Sequence, residues 1–216
     1  MPPPPTVLLL HGLGRSARSM APLARRLRKA GFRTHNVDYP STCHPIATLV
    51  DEHVRPAVEA VDGTPHFVTH SLGGILVRAY AARYGLPGGT RAVMLAPPNA
   101  GSAVADALHD RWPFRWWCGP ALRELGTAEG CLPPALGPVD FDVGVIAGDR
   151  DVYPWFRSTL GGPGDGLVTV EGTKVEGMAD FAVVRAGHAL IMMSPVVARL
   201  TVRFLRAGRL GDGGPG

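Results

Sequence analysis

Short runs built around apolar residues recur along this chain, each closed by a glycine, a proline or a polar residue, and that punctuation restricts the fold more than any other feature. Thr6-Val7-Leu8-Leu9-Leu10 ends at His11-Gly12-Leu13-Gly14, and His66 to His70 ends at Ser71. Arg91 to Leu95 runs into Ala96-Pro97-Pro98, and Val143 to Ala147 ends at Gly148-Asp149. Runs this short, without polar alternation, are strands buried on both faces, as in a parallel sheet. Phe32 to Tyr39, ended by Pro40, and Phe181 to Val184 read as two further strands. Between them lie helical stripes. Residues 19–30 place Met20, Leu23, Leu27 and Ala30 at three-to-four spacing and stop at Gly31. Residues 46–60 carry Ile46, Leu49, Val50, Val54 and Val58, with Pro56 expected to kink or split the helix. Leu72 to Tyr84 and a terminal segment with Val196, Val197, Leu200, Val202, Phe204 and Leu205 complete the set. The expectation is an α/β fold: a six-stranded, mostly parallel sheet with helices on both faces.

At 216 residues the chain suits one domain, residues 1–216, with a proline leader at 1–5, an insertion at 100–142 and a flexible tail at 208–216. Hydrophobic residues at 45% against 19% charged exclude wholesale disorder. The net charge of +4 comes almost wholly from arginine, since Lys29 and Lys174 are the only lysines. The densest basic group, Arg25, Arg26, Arg28 and Lys29, lies opposite an apolar stripe and reads as a solvated face, so no nucleic-acid partner is expected. Cys43, Cys118 and Cys131 have no metal-type spacing, although Cys118 and Cys131 could pair across the insertion. The opening Met1-Pro2-Pro3-Pro4-Pro5 lacks the basic start and apolar core of a secretory leader. No apolar run approaches the about 20 residues of a membrane helix. A cytoplasmic protein without metal or organic cofactor is the expectation, with secretion of a processed form left open.

The chemistry gathers around Phe67-Val68-Thr69-His70-Ser71-Leu72-Gly73-Gly74. A strand feeding a helix through so tight a turn lifts the serine hydroxyl to its apex, and small flanking residues keep the backbones from colliding. The pattern is G-x-S-x-G with threonine for the first glycine. A serine hydroxyl needs a base to take its proton, a group to hold that base in one tautomer, and amides around the developing oxyanion. His11-Gly12, Ser71, Asp149, Asp165 and His188 all fall just after strands, where open parallel sheets collect their working groups. His35, His44, His53, His66 and His109 have no such setting, and His11 reads as structural support.

In these segments the chain resembles a small α/β-hydrolase of the lidless or short-lidded bacterial lipase and esterase type. His11-Gly12-Leu13-Gly14 resembles the oxyanion loop, Thr69 to Gly74 the nucleophile elbow, and Pro97-Pro98-Asn99-Ala100-Gly101-Ser102 a segment common after the next strand. Asp165-Gly166-Leu167-Val168 resembles the acid loop and Gly187-His188 the histidine loop. The resemblance implies Ser71 as nucleophile, His188 as general base, and the Leu13 and Leu72 amides as oxyanion donors. Asp151 resembles the acid position of larger hydrolases; Asp165, 23 residues before His188 in a tight Asp-Gly turn, is favoured. The implied activity is hydrolysis of carboxylic esters through an acyl-enzyme, on a small-molecule substrate, and the small size of the 100–142 insertion argues for short-to-medium acyl chains. A thioesterase, an acyltransferase or a silent hydrolase-like binding protein stand as alternatives. Trp112, Phe114, Trp116 and Trp117 in the insertion either line an acyl pocket, form a short lid, or pack as a satellite core.

Overall fold

The computed structural model describes residues 4–109, 111–112 and 119–211. Six strands form one sheet: β1 (Thr6–Leu10), β2 (Arg33–Val37), β3 (His66–His70), β4 (Arg91–Leu95), β5 (Asp142–Gly148) and β6 (Asp180–Val184), ordered β2-β1-β3-β4-β5-β6. All the pairings are parallel, so the sheet is more uniform than the expected mostly parallel one. The chain leaves β1 for β2 on one side, then returns to lay β3 on the other. That reversal opens a crevice beyond the carboxyl ends of β1 and β3. Leu10 and Thr69 are in register, so the His11 loop and the Ser71 turn start side by side.

The period-2 geometry of a strand sorts its apolar residues between two cores. From β1, Val7 and Leu9 enter one core and Leu8 and Leu10 the other. The first is covered by α1 (Ala21–Lys29) and by the terminal helix, which supply the fully buried Leu23, Leu27 and Phe204. Burial of each such side chain contributes about 1.5–3 kcal/mol. The second core is covered by α4 (Leu72–Tyr84) and by a helical stretch made of α2 (Ile46–Leu49), a π turn (Val50–Val54) and α3 (Arg55–Glu59). Pro56 stands in the first turn of α3, directly after the π turn. There the bonding ladder has already shifted register, so a ring lacking an N–H is accommodated without ending the helical path.

The insertion after β4 folds back as α5 (Ala103–Leu108), α6 (Gly119–Glu124) and α7 (Leu132–Ala135). Ala105, Ala121, Leu122 and Leu125 from it join the second core. Buried Arg78 of α4 fastens the insertion by donating to the carbonyls of Asn99, Pro133 and Gly137 and to Asn99 Oδ1. Burial pushes its pKa down to about 10. Trp112 is 84% exposed, so it is neither a pocket wall nor a satellite core. Phe114, Trp116, Trp117 and Cys118 lie outside the described residues, and with them the proposed Cys118–Cys131 pair. Two further helices follow, the single-turn α8 (Arg157–Leu160) and α9 (Pro195–Ala207), the latter being the terminal helix named above. Ser194 Oγ caps α9 by accepting from Val197 N, and Gly208 at φ +71° ends it. Leu210 beyond it is buried, with its amide donating to Asp180 Oδ2, so packing extends past the helix into the segment expected to be a loose tail.

Candidate active site

Ser71 sits between β3 and α4 at φ +51° and ψ −119°, a region that non-glycine residues rarely occupy. Such a conformation costs on the order of 1–3 kcal/mol and persists only where neighbours enforce it. Here Ser71 N donates to Leu95 O at 2.9 Å and Ser71 O accepts from Gly74 N at 2.9 Å. A side chain at Gly73 would meet the Leu10 carbonyl oxygen at 2.8 Å, so the helix can approach β1 only with glycine there. Leu72 opens α4, and an amide at that position has no partner within the helix.

The loop after β1 lies against this turn. A Cβ at Gly12 would stand 2.8 Å from His70 Nδ1 and 3.3 Å from Ser71 Cβ. Fully buried His11 holds the loop in place: Nδ1 donates to Gly12 O at 2.9 Å, and Nε2 accepts from Tyr39 N at 3.4 Å. Its ring stacks on Tyr39 at 3.9 Å, and the Tyr39 hydroxyl donates to His11 O. Asp38 is 3.6 Å away, yet burial outweighs it and lowers the His11 pKa, so the ring is neutral at pH 7. Gly14 N donates to Ser41 Oγ at 3.0 Å. Leu13 lies between these two anchors and lines the cavity over Ser71.

On the opposite rim, His188 Nδ1 lies 2.8 Å from Asp165 Oδ2, with both side chains buried. A carboxylate can only accept, so Nδ1 is the donor of this bond and the ring is oriented with Nε2 away from Asp165. Asp165 Oδ1 accepts from Leu167 N at 3.1 Å and Val168 N at 2.9 Å, within the tight turn that Gly166 permits at φ +100°. His188 N also donates to Asp165 O at 3.1 Å, which locks the two loops together. Asp151 does not join them: it accepts from Tyr153 N and pairs with Arg157 at 2.8 Å, and that bond to Arg157 is the main cause of its lowered pKa.

Ser71 and His188 line one cavity of about 470 Å³, within the range of small-molecule sites. Val104, Leu108, Leu122 and Leu125 from the insertion form one wall, and Tyr153, Trp155 and Phe156 another. The pocket wall thus combines aliphatic insertion residues with an aromatic group that sequence reasoning passed over, although Tyr153-Pro154-Trp155-Phe156 follows β5 closely. His70, in the elbow itself, ties the elbow to the histidine loop. Its Nε2 donates to His188 O at 2.9 Å and its ring lies 5.0 Å from that of His188, while buried Nδ1 has no partner among the described residues. Burial, followed by the nearby His188, lowers its pKa well below the usual value, so it is a neutral bridge between the elbow and the histidine loop.

The profile of the alpha/beta hydrolase family matches residues 7–200. The chain belongs to that family. Among solved structures, this alpha/beta hydrolase superposes on the mature form of a Bacillus licheniformis lipase with a TM-score of 0.72 at 19% identity, covering 95% of this chain and 93% of that one. Against the propeptide form of that lipase the TM-score is 0.73 at 17% identity, covering 95% of this chain and 51% of that one. A phospholipase from Legionella pneumophila gives 0.74 at 19% identity, covering 94% and 60%. The hydrolase therefore spans about half the length of the propeptide form and three fifths of the phospholipase. At these identities the likeness is one of fold. No curated protein matches the chain in sequence.

Proposed function

We propose that the protein hydrolyses carboxylic esters through an acyl-enzyme on Ser71. The observation that carries this reading is the buried Asp165–His188 pair at 2.8 Å, opening onto the same cavity as a serine held at positive φ. Ser71 Oγ attacks the acyl carbon while His188 Nε2 takes its proton, and Asp165 stabilises the imidazolium that forms. The Leu13 and Leu72 amides donate to the oxyanion. His188 then returns the proton to the departing alkoxide as the ester C–O bond breaks. Water, deprotonated by His188, attacks the acyl-enzyme in turn, releasing a carboxylic acid and restoring Ser71. The apolar walls suit an acyl chain of short to medium length, in a cavity that seats a small molecule.

A fluorophosphonate probe followed by peptide mass mapping tests the reading. The expected adduct lies on Ser71 and is absent in Ser71→Ala. Turnover of p-nitrophenyl esters should be greatest for short and medium chains. An unmodified Ser71 in folded protein, with no ester turnover, would overturn the proposal; a preference for long chains would overturn its substrate range alone.

A further inference from the structure

Two long stretches of the chain, from its start to Val37 and from Phe181 to Gly211, carry no acidic residue. The first of the 18 acids is Asp38, and none lies between Asp180 and Asp212. Those two stretches hold 12 of the 22 Lys and Arg residues: Arg15, Arg18, Arg25, Arg26, Arg28, Lys29 and Arg33 in one, Arg185, Arg199, Arg203, Arg206 and Arg209 in the other. The remaining 10 basic residues face all 18 acids, so the net charge of +4 hides a dipolar body. The fold then joins the two stretches. α1 and α9 pack on the same side of the sheet, and a groove of about 440 Å³ between them is lined by Arg26, Arg199, Arg203 and Arg206. Arg26 Nη1 donates to Met193 O and Arg206 Nη2 to Ala30 O, which pins the basic groups across the groove. Asp38 and Asp180, the acids that bound these stretches in the chain, accept from the amides of Ala17 and Leu210.

This basic layer reaches the rim of the cavity. Arg15 and Ala189 line the cavity, and the turn His188–Met193 leads from the site into α9. Along that path Leu190, Met193 and Val196, three residues apart, are 67%, 46% and 43% exposed. Large aliphatic side chains in water beside a dense set of cations are the surface of a protein that rests on an anionic bilayer: the cations meet the headgroups and the aliphatics enter the acyl boundary. A single-stranded nucleic acid would call for aromatic stacking groups among the cations, and the exposed side chains here are aliphatic.

We propose that the α1–α9 face, with Leu190, Met193 and Val196 at its edge, docks this protein on an anionic phospholipid surface and sets the cavity mouth against the lipid. The inference does not depend on ester hydrolysis, because binding is read without turnover. The experiment is co-sedimentation with vesicles of phosphatidylcholine alone and of phosphatidylcholine mixed with phosphatidylglycerol, at low and high salt, beside a gel-shift series with generic RNA. The native chain should bind the phosphatidylglycerol vesicles at least tenfold more tightly than the neutral ones, and lose most of that preference at about 1 M salt, where charges are screened beyond roughly 3 Å. The triple variant Arg199→Ala, Arg203→Ala, Arg206→Ala should bind roughly a hundredfold more weakly, with its circular dichroism and its turnover of a soluble ester unchanged. Leu190→Ser with Met193→Ser should weaken the binding that survives high salt. Equal partition onto neutral and anionic vesicles, no binding to either, or RNA binding stronger than vesicle binding would each overturn the proposal. Lost ester turnover with intact vesicle binding would count against the catalytic reading only.

Discussion

Two buried histidines follow strands of this sheet, one at the end of β1 and one after β6, and each has an aspartate within ion-pair distance. Their surroundings differ in the one respect on which the proposed chemistry depends. His11 has both ring nitrogens engaged by backbone groups, a tyrosine stacked on its face, and an aspartate that is 71% exposed to water. His188 has one nitrogen held by an aspartate that is wholly buried, and its ring borders the cavity that holds Ser71. Saturating both nitrogens makes an imidazole a brace; holding one by a carboxylate, in a ring that borders the same cavity as a serine, is the arrangement that the proposed base requires.

The comparison can be broken most severely at the base itself. His188→Ala should lower kcat by on the order of 10⁴–10⁶ while leaving the melting temperature within a few degrees, the scale seen when one member of such a unit is lost; a loss under tenfold would remove His188 from the chemistry. Asp165→Asn should cost about 10⁴ in kcat, because an amide can present its N–H to Nδ1 and so stabilise the wrong tautomer. Asp151→Asn, measured in parallel, should remain within a few fold, since its partners are Tyr153 N and Arg157. The reverse ranking would hand the role to Asp151.

The brace is tested next. Gly12→Ala introduces a Cβ that meets His70 Nδ1 at 2.8 Å and must displace either the loop or the ring. The expected result is a fall of about 10–100-fold in kcat with little change in KM, as a shift of roughly an ångström at a catalytic centre produces. His11→Asn should act mainly on stability, by about 1–3 kcal/mol in urea unfolding, because Gly12 O and Tyr39 N lose a buried partner. If kcat fell as far as in the His188 variant, the division between brace and base would fail.

Acid should produce the most gradual effect and the most diagnostic one. His11 and His70 have lowered pKa values in the folded protein, chiefly through burial. The unfolded chain therefore takes up protons first as pH drops through about 6.5, while the folded rings stay neutral. Stability is complete above that pH and declines below it, by at most about 1.4 kcal/mol per pH unit for each ring. Urea midpoints between pH 7 and 5 should show the decline, and His70→Gln should make it shallower. An unchanged slope in that variant would show that the ring titrates in the folded state.

Much of this arrangement was readable before any coordinates. Strand runs in β1, β3, β4 and β5 are apolar on both faces because the sheet is covered on both, so period alone betrays them. The glycines after Ser71 and the Asp165-Gly166 pair mark turns that few other residues could make. Pro56 shows the limit of such reasoning: a local rule foresaw a break, and a π turn one residue earlier absorbed it. The tryptophans of the insertion drew attention by size, yet Trp112 faces water while Trp155 lines the cavity.

What the residue order determined by itself was the alternation of buried strands and amphipathic helices, and the placing of Ser71 and His188 just after strands, since hydrophobic period and turn chemistry are local. What only the tertiary structure decided was which aspartate meets which histidine, which histidine is saturated, and that two acid-free stretches lying far apart in the chain form one face. Those outcomes depend on strand order and on the distances it sets, and hydrogen bonds and charge fields act through space, without regard to separation along the polymer.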